Sequence, residues 1–159
     1  MAKREGRRTS RPTAAQAGAE ARVRASFAKQ AFMHLLGAKL ERVVPGEVDI
    51  ALPFRADLQQ QHGYLHAGVT TAIVDSACGY AALTLMPPDA AVLSVEYKVN
   101  MLAPAKGKRF LALGRVVRSG RTVTVVRGEV LAFDEHDDAR PVLVLQGTML
   151  AARDRGIVD

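Results

Sequence analysis

From Ala67 to Leu85 the chain is dominated by Ala, Val, Ile, Thr, Leu, Cys and Gly, broken by one carboxylate, Asp75, and followed by Pro87-Pro88. As a helix this run would be nearly 30 Å long at ~1.5 Å per residue, with apolar groups all round it rather than along one stripe. Such a helix has to be covered on most sides. A membrane span is one way to cover it, but the many Ala, Gly, Ser and Thr residues and the central acid speak against that. A sheet wrapped around the helix is the expected solution.

The flanking segments supply the sheet. "KLERVVPGEVDIALPF" holds two β-rich runs joined at Pro45-Gly46, a turn dipeptide, and reads as a hairpin. Residues 53–66, "PFRADLQQQHGYLH", form a polar loop leading into the apolar run. Beyond the prolines, "VLSVEYKVNMLAP" alternates, with Leu93, Val95, Tyr97, Val99 and Met101 expected on one face and Ser94, Glu96, Lys98 and Asn100 on the other. Apolar runs near 109–118, 121–133 and 141–151, separated by Ser119-Gly120 and "DEHDDARP", read as an antiparallel meander. Upstream, Val23, Phe27, Ala31, Met33 and Leu35 fall at roughly helical spacing, with Ser26 as the expected cap and Gly37 as the stop. The predicted class is α+β, with one antiparallel sheet curled around one long central helix.

At 159 residues, one domain is expected. The net charge of +6 would suggest nucleic acid if it were evenly spread. It is concentrated instead: residues 1–24 carry Lys3, Arg4, Arg7, Arg8, Arg11, Arg22 and Arg24 against Glu5 and Glu20, five of the six net charges. A nearly neutral body without a zinc-finger, basic-zipper or RNP-like motif is not expected to bind nucleic acid. Residues 1–24 read as a disordered basic extension whose removal should leave the fold intact, 25–153 as the domain, and 154–159 as a tail. An organelle transit peptide is the other reading of the Arg-rich start. No apolar signal-peptide core follows the basic residues, and Cys78 is the only cysteine, so a cytoplasmic protein without disulfides is expected.

The helix starting near Ala67 presents backbone N–H groups without intrahelical partners, at the end where its dipole is positive. Ala67 and Gly68 leave room for a carbonyl oxygen to approach those amides, which is an oxyanion hole in outline. Asp75 offers a carboxylate able to attack a carbonyl carbon or to take a proton from water. It could equally be a buried ion-pair partner for Lys98 or an arginine. No GxSxG, HExxH or P-loop occurs. A thiol of pKa ~8.5 leaves as thiolate without a general acid, so the pattern suits a thioester.

"QQHG", "HAGVTTAIVD", "LSVEYKVNMLAPAKG" and "RSGRTVTVV", in this order and spacing, resemble the hotdog-fold acyl-CoA thioesterases of the phenylacetate-pathway type over roughly residues 25–153. That resemblance implies a hotdog fold, hydrolysis of acyl-CoA without a cofactor, and a homodimer or homotetramer paired through the strand near 91–101. It implies Asp75 as the catalytic acid and Ala67, in place of the usual glycine, as the amide polarising the thioester carbonyl. Gln60 stands where an Asn is common, and Ser94 supplies the hydroxyl expected at the start of the next strand. His66 is expected to orient its loop. Lys106, Lys108, Arg118 and Arg121 are candidates for coenzyme A phosphates, though solvated strand-end charges look the same in sequence. A metal at His62 and His66 is not expected, and Cys78 reads as a small buried side chain. Two alternatives within this resemblance are a non-catalytic acyl-CoA-binding module and an enoyl-CoA hydratase or dehydratase.

Overall fold

The computed structural model describes residues 14–153 and Gly156; residues 1–13 of the expected extension and most of the tail at 154–159 lie outside the described residues. Two helices, α1 (Ala14–Lys29) and α2 (Ala31–Leu36), precede the hairpin β1 (Lys39–Val44) and β2 (Glu47–Pro53). A 3-10 turn at Ala56–Leu58 leads to α3 (Ala67–Leu83), followed by β3 (Ala91–Met101), β4 (Arg109–Ser119), β5 (Val123–Phe133) and β6 (Ala139–Ala152). All neighbouring strands pair antiparallel, in the order β1-β2-β4-β5-β6-β3.

The expected central helix is present, and α3 packs against β2, β3, β4, β5 and β6. Ile73, Val74, Ala77 and Cys78 are completely buried in that contact. Two strand glycines explain how closely the helix lies. Gly114 and Gly128 sit opposite each other on β4 and β5. A Cβ on Gly114 would enter the α3 backbone at Ala77–Cys78, and one on Gly128 would strike the Val74 and Cys78 side chains. Bare strand backbone thus forms the seat for the helix.

The N-terminal helices differ from expectation in two ways. Ser26 caps nothing: it lies inside α1 and is 8% exposed. The predicted single helix is broken at Gln30, whose φ −82°, ψ 87° leave the helical region, and α2 restarts with the Gln30 carbonyl accepting from Met33 N–H at 3.1 Å. Gly37 is the stop, left-handed at φ 77°. The second correction concerns the extension. Disorder to residue 24 is contradicted from Ala14 onward, because α1 docks: Val23 is completely buried and the Phe27 ring lies 5.9 Å from that of Tyr80. The Arg22 guanidinium donates to the carbonyls of Leu83, Met86 (3.0 Å) and Pro87 (2.6 Å). These are acceptors at and just beyond the C-terminal end of α3, where a helix has unpaired carbonyls and a negative dipole end. A long-range contact of this kind leaves no periodic apolar signal in the chain.

Strand β3 has the predicted span, but its faces differ. Ser94 pairs with Met149 and Glu96 with Thr148, so Val95 is the extra residue of a β-bulge. The bulge resets the alternation. Tyr97, Val99 and Met101 stand opposite Gly147, Leu145 and Leu143 on the helix side, and so does Ser94, opposite the buried Met149. Leu93 and Val95 are left 43% and 58% exposed on what is the edge strand of the sheet.

Candidate active site

Asp75 lies at the middle of α3, half-buried, on the side that faces β3. The bulge at Val95 turns Ser94 toward it, and Ser94 Oγ donates to Asp75 Oδ1 at 2.8 Å. The alternative of an ion pair does not hold. Among the described residues no cation lies within salt-bridge distance of Asp75, and Lys98 sits opposite the exposed Gln146 on the outer face. Burial raises the Asp75 pKa above the ordinary carboxylate value, and the Ser94 hydrogen bond works against that rise. A carboxylate desolvated by burial, oriented by one hydroxyl and without a cation at salt-bridge distance among the described residues, is equipped to accept a proton or to attack carbon.

Two clefts meet at this side chain. One, of 310 Å³, runs toward the C-terminal half of α3 past Gly79 and Tyr80 and is walled by the end of α1. The other, of 470 Å³, runs toward the start of α3 past Gly68 and Thr71, beside Phe32 and Tyr97. Gln30, Asp75 and Ser76 belong to both.

The start of α3 is built around His66. Its backbone is extended at φ −62°, ψ 137°, and its ring Nδ1 accepts from Gly68 N–H at 2.9 Å, so the histidine caps the helix. Glycine at 68 lets the ring sit this close, since a Cβ there would be 3.0 Å from Nδ1. This corrects one expectation: the Gly68 amide is already engaged and is not an open oxyanion donor. Val69 N–H bonds the His66 carbonyl at 2.9 Å, whereas among the described residues nothing accepts the Ala67 N–H. Gln60 lies near Ala67 in a third cleft of 490 Å³ lined also by Met101 and Leu102. Its side-chain carbonyl accepts from His62 N–H and its own N–H bonds Tyr64 O at 2.8 Å, which holds the loop before the helix in shape.

The chain therefore brings Asp75 to Ser94 and Gln60 to Ala67, but it does not bring the two pairs together. Eight residues separate Ala67 from Asp75 on one helix, which is about 12 Å along the axis. The basic candidates divide in the same way. Arg118 and Arg121 stand at the β4–β5 turn, where Thr122 O accepts from Ala151 N–H at 2.8 Å, at the end of the sheet that holds the start of β3 and Ser94. Lys106 follows the other end of β3, where Leu65 N–H bonds Ala105 O at 3.0 Å. Lys108 is drawn to Asp137 at 3.5 Å.

Cys78, pushed up to about 12 by burial, is an inert core thiol. Among the described residues no group of three or more His, Cys, Asp or Glu could hold a metal, and no helix is long and apolar enough to cross a membrane. Gln30, Ser76 and Tyr80 beside Asp75 were not picked out from sequence. Only the packing of α1 on α3 brings them there.

Residues 62–139 match the thioesterase superfamily. The chain is 30% identical over 120 residues to a proposed esterase of Halobacterium salinarum, covering 72% of this chain and 79% of that protein. The solved structure of a thioesterase family protein from Silicibacter pomeroyi is similar at 45% identity with a TM-score of 0.84, over 86% of this chain and 99% of that one. The E. coli PaaI protein from the phenylacetic acid degradation operon shares the fold at 17% identity and a TM-score of 0.77, over 87% of this chain and 96% of that one.

Proposed function

This chain belongs to the thioesterase superfamily and is a PaaI-like, hotdog-fold thioester hydrolase, and from that premise we propose that it cleaves acyl-CoA thioesters at a site completed by two copies of the chain. The observation that carries the reading is Asp75: a half-buried carboxylate without a cation, held by Ser94, where two clefts join. With a thioester carbonyl carbon placed there, Asp75 takes a proton from water as the water oxygen bonds to carbon, or bonds to that carbon itself. The carbonyl electrons move to oxygen, and an open amide N–H holds the resulting oxyanion. Collapse expels the thiolate, which needs no general acid near neutral pH; where Asp75 itself has bonded to carbon, water then hydrolyses the resulting anhydride, releasing the free acid and restoring the carboxylate.

The amide cannot be that of Ala67 in the same chain, given the separation along α3. Strand β3 supplies the way round. It is an edge strand carrying exposed Val95, Tyr97 and Met101, and an unpaired edge of this length calls for a partner. Two-fold antiparallel pairing of β3 with its copy sets the start of one strand beside the end of the other. Asp75 and Ser94 of one subunit then lie near Ala67 of the partner subunit, which donates its N–H, and Gln60 of the partner subunit, which positions substrate. The same pairing brings Arg118 and Arg121 to the side of the partner's Lys106, within reach of the phosphates of coenzyme A.

The hydratase alternative needs a histidine paired with the acid. His66 is tied to Gly68 N–H at the start of α3, two turns away from Asp75, which speaks against it. The test is thiol release from a panel of acyl-CoAs. Asp75→Asn keeps the shape of the side chain and should remove most turnover through kcat rather than KM. Equal turnover by the two proteins, or no release by either, would refute the reading.

A further inference from the structure

Two clefts join at Asp75, and among the described residues only Gln30 and Ser76 line both of them with it. The cleft of 310 Å³ leads past Val92, which stands opposite Ala151 on β6, and Ala151 N–H bonds Thr122 O beside Arg118 and Arg121. It is therefore the way out for the coenzyme A arm, whose phosphates are placed at those arginines. The acyl arm takes the other cleft, past Phe32 and Ala72. Residues of one cleft meet one arm of the substrate, and the shared residues flank the reacting carbonyl.

Gln30 owes its place to the break between α1 and α2. Its φ −82°, ψ 87° leave the helical region, and its side chain makes no capping bond to the helix that it precedes. The carboxamide reaches α3 instead, where Ser76 Oγ donates to Gln30 Oε1 at 3.4 Å, a long bond that still sets which end is oxygen. Its Nε2 keeps two N–H donors without an acceptor among the described residues. Ser76 follows Asp75 about 100° round the helix, so the carboxamide stands next to the carboxylate. Of the three shared residues, Asp75 accepts and Ser76 gives its hydroxyl hydrogen to Gln30, which leaves Gln30 alone with a donor to offer.

The chemistry has a use for that donor. A forming oxyanion can accept several hydrogen bonds, and Ala67 of the partner subunit supplies one. Gly68 N–H cannot supply another, because it is bonded to His66 Nδ1 at 2.9 Å. A neutral amide also suits its neighbour, since it polarises a carbonyl without the full positive charge that would make Asp75 a weaker base. Resting on the thioesterase reading, we infer that Gln30 is a further catalytic residue, whose Nε2–H donates to the thioester carbonyl oxygen and bonds it more strongly as that oxygen becomes anionic.

The experiment measures Gln30→Met and Gln30→Glu on the acyl-CoA panel, with a thermal melt of each. Methionine keeps the length of the side chain without its donor, and glutamate keeps the shape but offers acceptors only. Gln30 is half-buried, so water replaces part of the lost bond. Each variant should lower plateau kcat on the order of 10- to 10²-fold, below the full cost of an oxyanion donor, and move KM by less than about threefold. Gln30→Asn retains an amide on a shorter stem and should fall between these variants and wild type. The second readout is the infrared carbonyl stretch of the panel member hydrolysed fastest, labelled with carbon-13 at its thioester carbon and bound uncleaved to the Asp75→Asn protein. A hydrogen bond to oxygen weakens the C=O bond, so adding Gln30→Met should move the band to higher frequency. Should the melt show that methionine unfolds the helix break, the glutamate variant carries both readouts. A kcat within about twofold of wild type, or an unmoved band, overturns the role of Gln30, while Asp75-dependent thiol release still upholds the hydrolase chemistry. Absence of thiol release from every panel member refutes the thioesterase reading, and this inference with it.

Discussion

Replacing Arg22 with Met tests how α1 is fastened to the rest of the fold. The substitution keeps an apolar stem and removes the guanidinium that bonds the carbonyls of Leu83, Met86 and Pro87. A hydrogen bond to a charged group contributes ~1.5–3 kcal/mol, and here the Leu83 and Pro87 carbonyls keep the N–H groups of Met86 (3.2 Å) and Ala90 (3.1 Å) when the guanidinium is lost. Arg22 is half-buried, so water reaches part of the vacated site, and a discounted value near 1 kcal/mol per bond is reasonable. Three bonds then give a loss of about 3 kcal/mol, and at ~2–4 °C per kcal/mol for a chain of this size the melting temperature should fall by roughly 6–12 °C. Arg22→Lys should recover only part of this, because an ammonium lacks the planar fork that serves several carbonyls at once. Turnover at 25 °C should change little, since Asp75 lies two turns upstream of the capped end. Calorimetric melts of the three proteins decide the matter. A fall of less than 1 °C would show that these contacts are exchanged for water without cost, and that α1 is held by Val23 and Phe27 alone.

Four further outcomes follow from the site. If Asp75 works as the carboxylate, the acidic limb of kcat/KM should lie above the ordinary carboxylate range, and Ser94→Ala, which removes the bond opposing that rise, should move it higher; an unmoved limb would mean that Asp75 does not set it. The same raised value means the protonated form's advantage is complete below the unfolded pKa and is lost as pH climbs through the folded one. Asp75→Asn should therefore melt above wild type at neutral pH, with the gap closing in acid. Ala67→Pro deletes the open N–H at a position where the helix tolerates proline, and should lower turnover by on the order of 10² to 10³ while Ala67→Gly is accepted; a folded, fully active proline variant would place the oxyanion elsewhere. Val95→Lys puts a charge on the β3 edge and should give monomers by light scattering with little activity; an active monomer would contradict a shared site.

What sequence could and could not reveal divides by the range of the interactions involved. Helix α3, the Pro45-Gly46 hairpin and the β4–β6 meander rest on local patterns, and their spans agree closely with expectation. Asp75 was conspicuous because a lone charge in an otherwise apolar helix needs a reason. Ser94 was not readable from alternation at all, which put it with Glu96 and Lys98 on the face away from the helix. Only the resemblance of the strand motif named it. The bulge that turns it inward depends on how β3 meets Met149 and Thr148, some 50 residues away in the chain. The docking of α1 escaped for a similar reason, since Arg22 reads as one more charge in a basic stretch until Leu83 and Pro87 come to meet it.

The division of the site along α3 joins these observations. A helix dipole can polarise a carbonyl only at its first turn, while Asp75 gains its raised basicity from burial farther along the same helix. Within one chain the two properties compete for position: a carboxylate moved to the first turn would be solvated and stabilised as the anion, losing basicity, and an amide moved to the middle would be spent on the helix ladder. Pairing two chains through β3 removes the conflict, because each subunit gives its helix start to the other and keeps its acid buried. Val95 serves both needs. As the extra residue it turns Ser94 inward to Asp75, and its own exposed side chain stands on the edge where the partner strand is proposed to lie.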